Sequence, residues 1–190
     1  MQFIGCITKR IVMIQNIETA IEKAAENILR LYKPAFSLLA MGDAVTVCEL
    51  GDDFSHDCPL NASFHSCVRL TLDNILFLHK MIAQKTGGDG EVRDRGLLES
   101  AVEAAFLTFD GIELYPTVEE KGARLCCSLV ANHAFVDGNK RIGVLALMVF
   151  LEINGVRLRP TNCELARVGL ALASGQMRYE ELVRWVLDNK

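Results

Sequence analysis

Residues 15–31 carry the first readable pattern in the chain. Ile17, Ile21, Ala24, Ala25, Ile28 and Leu31 recur at three- and four-residue steps, with Glu18, Glu22, Lys23 and Glu26 between them. That spacing predicts an amphipathic helix with one buried face. Lys33-Pro34 ends it, because proline pushes its predecessor out of the helical region. Residues 36–41 are apolar but too short a run to assign. Residues 44–50 are rich in β-branched side chains and suit a strand, although no partner hairpin is evident. Residues 51–66, dense in Asp, Ser, Asn, Gly and Pro, read as a loop or linker.

From Val68 the helical patterning becomes nearly continuous. Thr71, Asp73 and Asn74 offer capping side chains for a helix reaching Lys85, and the Thr-Gly-Gly-Asp-Gly run at 86–90 ends it as a flexible loop. A helix is predicted over 93–106, with Leu97, Leu98, Ala101, Val102 and Ala105 on one face. Residues 109–117 interrupt the pattern and suit a short hairpin or flap. Thr117 and Glu120 have the spacing of a capping box for a helix over 118–132. A turn at 133–138 leads into a very apolar helix over 139–153, closed by Asn154-Gly155. Two further helices are predicted, over 162–174 and 179–188, with Trp185 as core packing. There is no internal repeat. The expected fold is mainly α: a compact helical domain at 68–190, preceded by an extension at 1–67.

Composition narrows the class. The chain has 190 residues, 51% hydrophobic and 23% charged, which suits one globular core and excludes a disordered or fibrous protein. A net charge of −4 disfavours broad nucleic-acid binding, although a local phosphate site needs only a few placed donors. Seven cysteines show no disulfide framework, and Cys126-Cys127 sit inside an apolar helical stretch as small hydrophobes. These features suggest a reducing cytosol. The first residues have the wrong charge order for a signal peptide. The apolar run at 142–153 is about half the length of a membrane span and suggests a buried helix.

The chemistry concentrates in the segment His133-Ala134-Phe135-Val136-Asp137-Gly138-Asn139-Lys140-Arg141. A helix N-terminus presents unpaired N–H groups and partial positive charge. Gly138 permits a tight backbone there, so that several N–H groups can face one anion. Lys140 and Arg141 add positive charge where the helix dipole disfavours it, so they want an anion. Asp137 suits an oxygen ligand for Mg²⁺, which takes one or two carboxylates plus substrate phosphates. His133 is the side chain in this group suited to take a proton near neutral pH. Phe135, between them, can bury its ring and leave both polar groups on one open side. The residues alone leave two readings standing: a phosphoryl- or nucleotidyl-transfer site, or a capped, solvated helix start beside a satisfied histidine.

The nonapeptide resembles the signature of the Fic/Doc family, in its death-on-curing (Doc) branch. The likeness covers about 68–190 and includes Arg93-Asp94-Arg95-Gly96-Leu97-Leu98-Glu99-Ser100-Ala101 and Leu114-Tyr115-Pro116-Thr117 leading into Glu119-Glu120-Lys121. It implies a compact helical fold, ATP with Mg²⁺, and transfer to a protein hydroxyl. On matched positions His133 is the general base and Asp137 the metal-side carboxylate. Gly138 and Asn139 then form the anion loop, and Lys140 and Arg141 contact phosphates. AMP-transferring Fic enzymes typically carry Gly at the position of Lys140 and a second Arg at that of Val144. The resemblance therefore implies γ-phosphate transfer, as the Doc branch makes to elongation factor Tu, by a toxin paired with an antitoxin. AMP transfer stays open because Asp137-Gly138-Asn139 is shared by both branches, and so does a non-catalytic binding protein that keeps the fold.

Three other features have simpler readings. Glu26-Asn27 matches the end of a Fic inhibitory helix, but Glu22 stands where Ser or Thr belongs and Val144 replaces the Arg that such a Glu needs. An accessory packing arm, or upstream sequence from a misassigned start, accounts better for the extension. His56, Cys58, His65 and Cys67 are formally four zinc ligands, yet their spacing fits no common structural zinc pattern. Tyr115 and Pro116 suit either an edge for a target strand or an anchor for their loop.

Overall fold

The computed structural model describes residues 2–40 and 67–190, with side chains from residue 13 onward within them. The strand expected at 44–50, the loop at 51–66, and His56, Cys58 and His65 lie outside the described residues. Eight helices are described: α1 (Gln2–Leu31), α2 (Lys33–Ala40), α3 (Leu72–Thr86), α4 (Arg95–Glu103), α5 (Val118–Ala131), α6 (Asn139–Ile153), α7 (Asn162–Ala173) and α8 (Tyr179–Asp188). A two-stranded hairpin, β1 (Thr108–Phe109) and β2 (Ile112–Glu113), stands between α4 and α5. The fold is mainly α, as the periodicity predicted.

Helix α6 is the axis of the molecule. All residues from 141 to 151 are buried, so it is apolar around its whole circumference and needs neighbours on every side. Helices α5, α1, α7, α3 and α2 supply them. Its boundaries match the sequence expectation because both ends carry local signals, Gly138 at the start and Asn154-Gly155 at the end. Among the described residues, no helix is long and apolar enough to cross a membrane.

The described part of the N-terminal extension packs into this same core. Ile21, Ala24, Ala25, Ile28 and Leu29 of α1 are buried in one cluster with the α6 side chains. The apolar run that resisted assignment is α2, whose Phe36 and Leu39 are fully buried. Each such side chain contributes about 1.5–3 kcal/mol by leaving water. Pro34 falls in the first turn of α2, where its missing N–H costs nothing. Glu26 lies on the solvent face of α1 and Val144 is buried, which suits a packing helix and not an inhibitory one.

Two expectations need correction. The helix expected from residue 93 starts at Arg95, because the Asp94 side chain accepts from the N–H of Leu97 and caps it there. Leu97, expected on the buried face with Leu98 and Ala101, is exposed. It lies in the first turn of α4 with its side chain in solvent, and Ala105 continues the apolar face in a short 3₁₀ turn.

Candidate active site

The segment 133–138 is a short turn between α5 and α6, held from both sides. Inside, the Asn139 carboxamide closes a ring with the Phe135 backbone: Oδ1 accepts from the Phe135 N–H at 3.0 Å and Nδ2 donates to its carbonyl at 2.9 Å. Outside, residues 91–93 pair with it as an isolated antiparallel bridge. The Val136 N–H donates to Glu91 at 3.1 Å and the Arg93 N–H to Ala134 at 2.8 Å. Phe135 is fully buried, while His133 and Asp137 stay exposed on either side of it. The buried Phe135 ring agrees with the sequence expectation. His133 itself has φ 48°, a left-handed conformation that carries the chain off α5.

Behind the turn lies an ion pair with unequal partners. Arg141 is 2% exposed and Asp137 49%, and Nη2 donates to Oδ2 at 2.6 Å. The other terminal nitrogen, Nη1, donates to the Thr86 hydroxyl at 2.7 Å and to the Gly87 carbonyl. Arg141 is thus turned inward and ties α6 to the end of α3, with Asp137 as its counter-ion. Gly88 completes the contact at φ 112°, where a Cβ would run into Asp137 Oδ2 and stand 2.6 Å from Arg141 Nη2. Only glycine suits both that backbone and that space.

His79, on the buried face of α3, touches the turn from below. It is 1% exposed, and its ring stacks on Phe135 with centroids 3.7 Å apart. Nε2 lies 2.9 Å from the Asp137 carbonyl. A carbonyl can only accept, so Nε2 carries the proton. Burial lowers the His79 pKa from the usual histidine value, which favours the neutral ring.

Of the residues proposed from sequence, His133 and Asp137 are exposed, whereas the first turn of α6 that follows them is buried or half-buried. Gly138 has φ 82° and forms the left-handed entry to α6. Lys140 is half-buried on that first turn. The Asn139 side chain is used in bracing the turn, and Arg141 lies inside. His79, Thr86, Gly87 and Gly88 were not recognised. The available signals were a histidine among Ile75, Leu78 and Ile82 at helical spacing, and a paired glycine that read only as a flexible loop.

Among the described residues no group of three or more His, Cys, Asp or Glu could hold a metal. The half-exposed Asp137 carboxylate still fits Mg²⁺ carried with a triphosphate, since that ion needs one or two carboxylates besides phosphate oxygens.

The hairpin is anchored on Lys121, a buried lysine at the start of α5. Lys121 Nζ donates to Glu113 Oε2 at 2.8 Å, to the Tyr115 carbonyl at 2.6 Å and to the Pro116 carbonyl at 3.3 Å. Tyr115 also meets Tyr179 edge-on, with centroids 5.4 Å apart. Tyr115 and Pro116 are therefore anchors, while Phe109 (75% exposed) and Ile112 (71%) stand in solvent at the tip. Replacing Lys121 by methionine is expected to cost about 2–3 kcal/mol, the scale of charge-assisted bonds lost from a buried donor. Amide exchange at Leu114, whose N–H bonds the Leu107 carbonyl, should quicken at the same time. Unchanged exchange in a stably folded variant would show that the hairpin does not depend on Lys121.

Residues 69–151 match the family model described as the Fic/DOC family. This stretch is similar to a Fic/Doc domain. The protein named Toxin Doc from Mycolicibacterium smegmatis (strain ATCC 700084 / mc(2)155) is 50% identical over 72 residues, 38% of this chain and 55% of that protein. The chain thus spans about half the length of that curated relative, and the match agrees with the death-on-curing branch. The matched Fic/Doc segment runs from just before α3 to near the end of α6, so it contains His79, the glycine loop, the hairpin and the turn. Helices α1, α2, α7 and α8 lie outside it and complete its core.

Proposed function

We propose that the chain is a toxin-type transferase that moves the γ-phosphate of ATP to a hydroxyl of a protein, with an antitoxin as its partner. The observation that carries the choice of γ-phosphate is the pair of positions 140 and 144. Lys140 adds charge and bulk in the first turn of α6, where AMP-transferring relatives typically keep Gly. Val144 is buried, with a methyl 3.1 Å from where a Gly169 Cβ would stand, so position 144 faces α7 and offers no second cation to the turn. The toxin role follows the printed name of the matching Doc protein. A translation factor of the elongation factor Tu kind is the target that the Doc resemblance implies. The four free cysteines among the described residues suit a reducing compartment.

In this reading the N-terminal turn of α6 and the half-buried Lys140 receive the triphosphate. His133 takes the proton from the acceptor hydroxyl as its oxygen bonds to the γ-phosphorus. The bond from that phosphorus to the bridging oxygen breaks, and ADP leaves with the electron pair. Mg²⁺ bound beside Asp137 would neutralise charge on the phosphates. The assay is transfer from ATP labelled on the γ- or the α-phosphate to a lysate or a purified translation factor. γ-Label on a protein band supports the reading. α-Label alone would assign AMP transfer instead, and neither label together with undiminished growth inhibition would assign a non-catalytic binding protein.

A further inference from the structure

We propose that His79 is a positioning residue that locks the Asp137–Gly138 peptide so that its N–H holds the Asp137 carboxylate in place. This rests on the reading of 133–141 as the phosphate-transfer site. Three contacts of His79 converge on the turn: the Phe135 ring, the Asp137 carbonyl and the Cα of Gly138, where a Cβ would stand 2.9 Å from Nε2. The remaining buried residues of α3 are Ile75, Leu78 and Ile82. Another hydrocarbon would fill the same space without the cost of burying a polar ring.

The peptide geometry explains what the imidazole adds. A trans peptide holds its C=O and N–H on opposite sides, and the described chain contains no cis bond. Drawing the Asp137 carbonyl inward onto His79 therefore turns the Gly138 N–H outward. There it donates to Asp137 Oδ1 at 2.6 Å, with Gly138 itself buried and the Asp137 carboxylate half-exposed. Glycine at 138 tolerates both signs of φ, so without a clamp this peptide can flip at low cost and turn its carbonyl oxygen toward the Asp137 carboxylate. An oxygen there repels the carboxylate that the N–H now holds, and moves Asp137 from the position in which it would meet Mg²⁺. His79 removes the flipped state.

The test compares His79→Leu, which keeps apolar bulk, with His79→Gln, whose amide nitrogen reaches about as far as Nε2 and can donate. Both are made in the full chain, with ¹H–¹⁵N spectra of Gly138 and a thermal melt taken beside the γ-phosphate assay. In the leucine variant the KM for ATP should rise about tenfold, the scale of one lost hydrogen bond. Its Gly138 amide should also shift or broaden and lose its response to added Mg·ATP. Glutamine should restore both to within about threefold of the parent. A leucine variant with the parental KM and Gly138 resonance overturns the proposal, as does a folded glutamine variant as impaired as leucine. If leucine fails to fold, the glutamine variant decides on the same two readings. If the parent transfers no phosphate, the functional reading fails, and the Gly138 resonance in the two variants still decides the role of His79.

Discussion

Replacing His133 by alanine is expected to reduce γ-phosphate transfer by about 10²–10⁴-fold, the usual contribution of a positioned general base. His133 is exposed, and nothing in the core rests on its imidazole, so ATP binding should persist. Its left-handed φ of 48° adds a second consideration. Alanine is disfavoured there by about 1–2 kcal/mol, whereas asparagine visits that region readily. His133→Asn therefore separates loss of the base from loss of the turn, and should be as inactive as alanine but closer to the parent in thermal stability. The measurement is the initial rate with γ-labelled ATP, alongside growth inhibition on expression. A parental rate in either variant would remove His133 as the base. Growth inhibition that survives both, without transfer, would make the fold a binding module.

Asp137 should affect stability as well as activity. Removing it by Asp137→Ala leaves Arg141 charged, 2% exposed, and facing only the neutral Thr86 hydroxyl and Gly87 carbonyl. Breaking one side of a buried pair costs about 3–5 kcal/mol, and because Asp137 is itself half-exposed we expect about 2–3 kcal/mol. Urea unfolding measures it. Adding Arg141→Met in the same chain removes the stranded charge, so the double variant should lose less than the sum of the two single ones, by about 1 kcal/mol or more. Strict additivity would show that the pair does not act as a unit. An Asp137→Ala variant as stable as the parent would place the carboxylate outside the structural frame, as a ligand only.

These two residues show how one short segment can be legible in part. His133 and Asp137 stand out from nine consecutive residues because the turn is local: Phe135 buries its ring between them and Asn139 closes on the Phe135 backbone four residues away. The same locality made α6 and α8 readable to the residue, and placed the start of α5 at the Thr117–Glu120 box. Local hydrogen bonds and helical spacing are properties of adjacent residues, and a sequence contains them in full.

What escaped was set at a distance. Whether Arg141 reaches outward to a phosphate or inward to α3 depends on Thr86 and Gly87, more than fifty positions earlier. His79 looked like one polar residue on an apolar stripe until α3 packed beneath the turn and brought its ring onto Phe135. Helix α2 has only eight residues, too few for a period to declare itself, and its burial comes from α7 and α6. Leu97 obeyed the helical spacing but stays exposed in the first turn of α4. The sequence alone determined a mainly helical Fic/Doc-like chain with a histidine and an aspartate on one turn. The tertiary structure decided which cation is held inside, which histidine supports the turn, and that the described N-terminal helices belong to the core. Those outcomes depend on contacts between segments far apart in the chain, which no local pattern encodes.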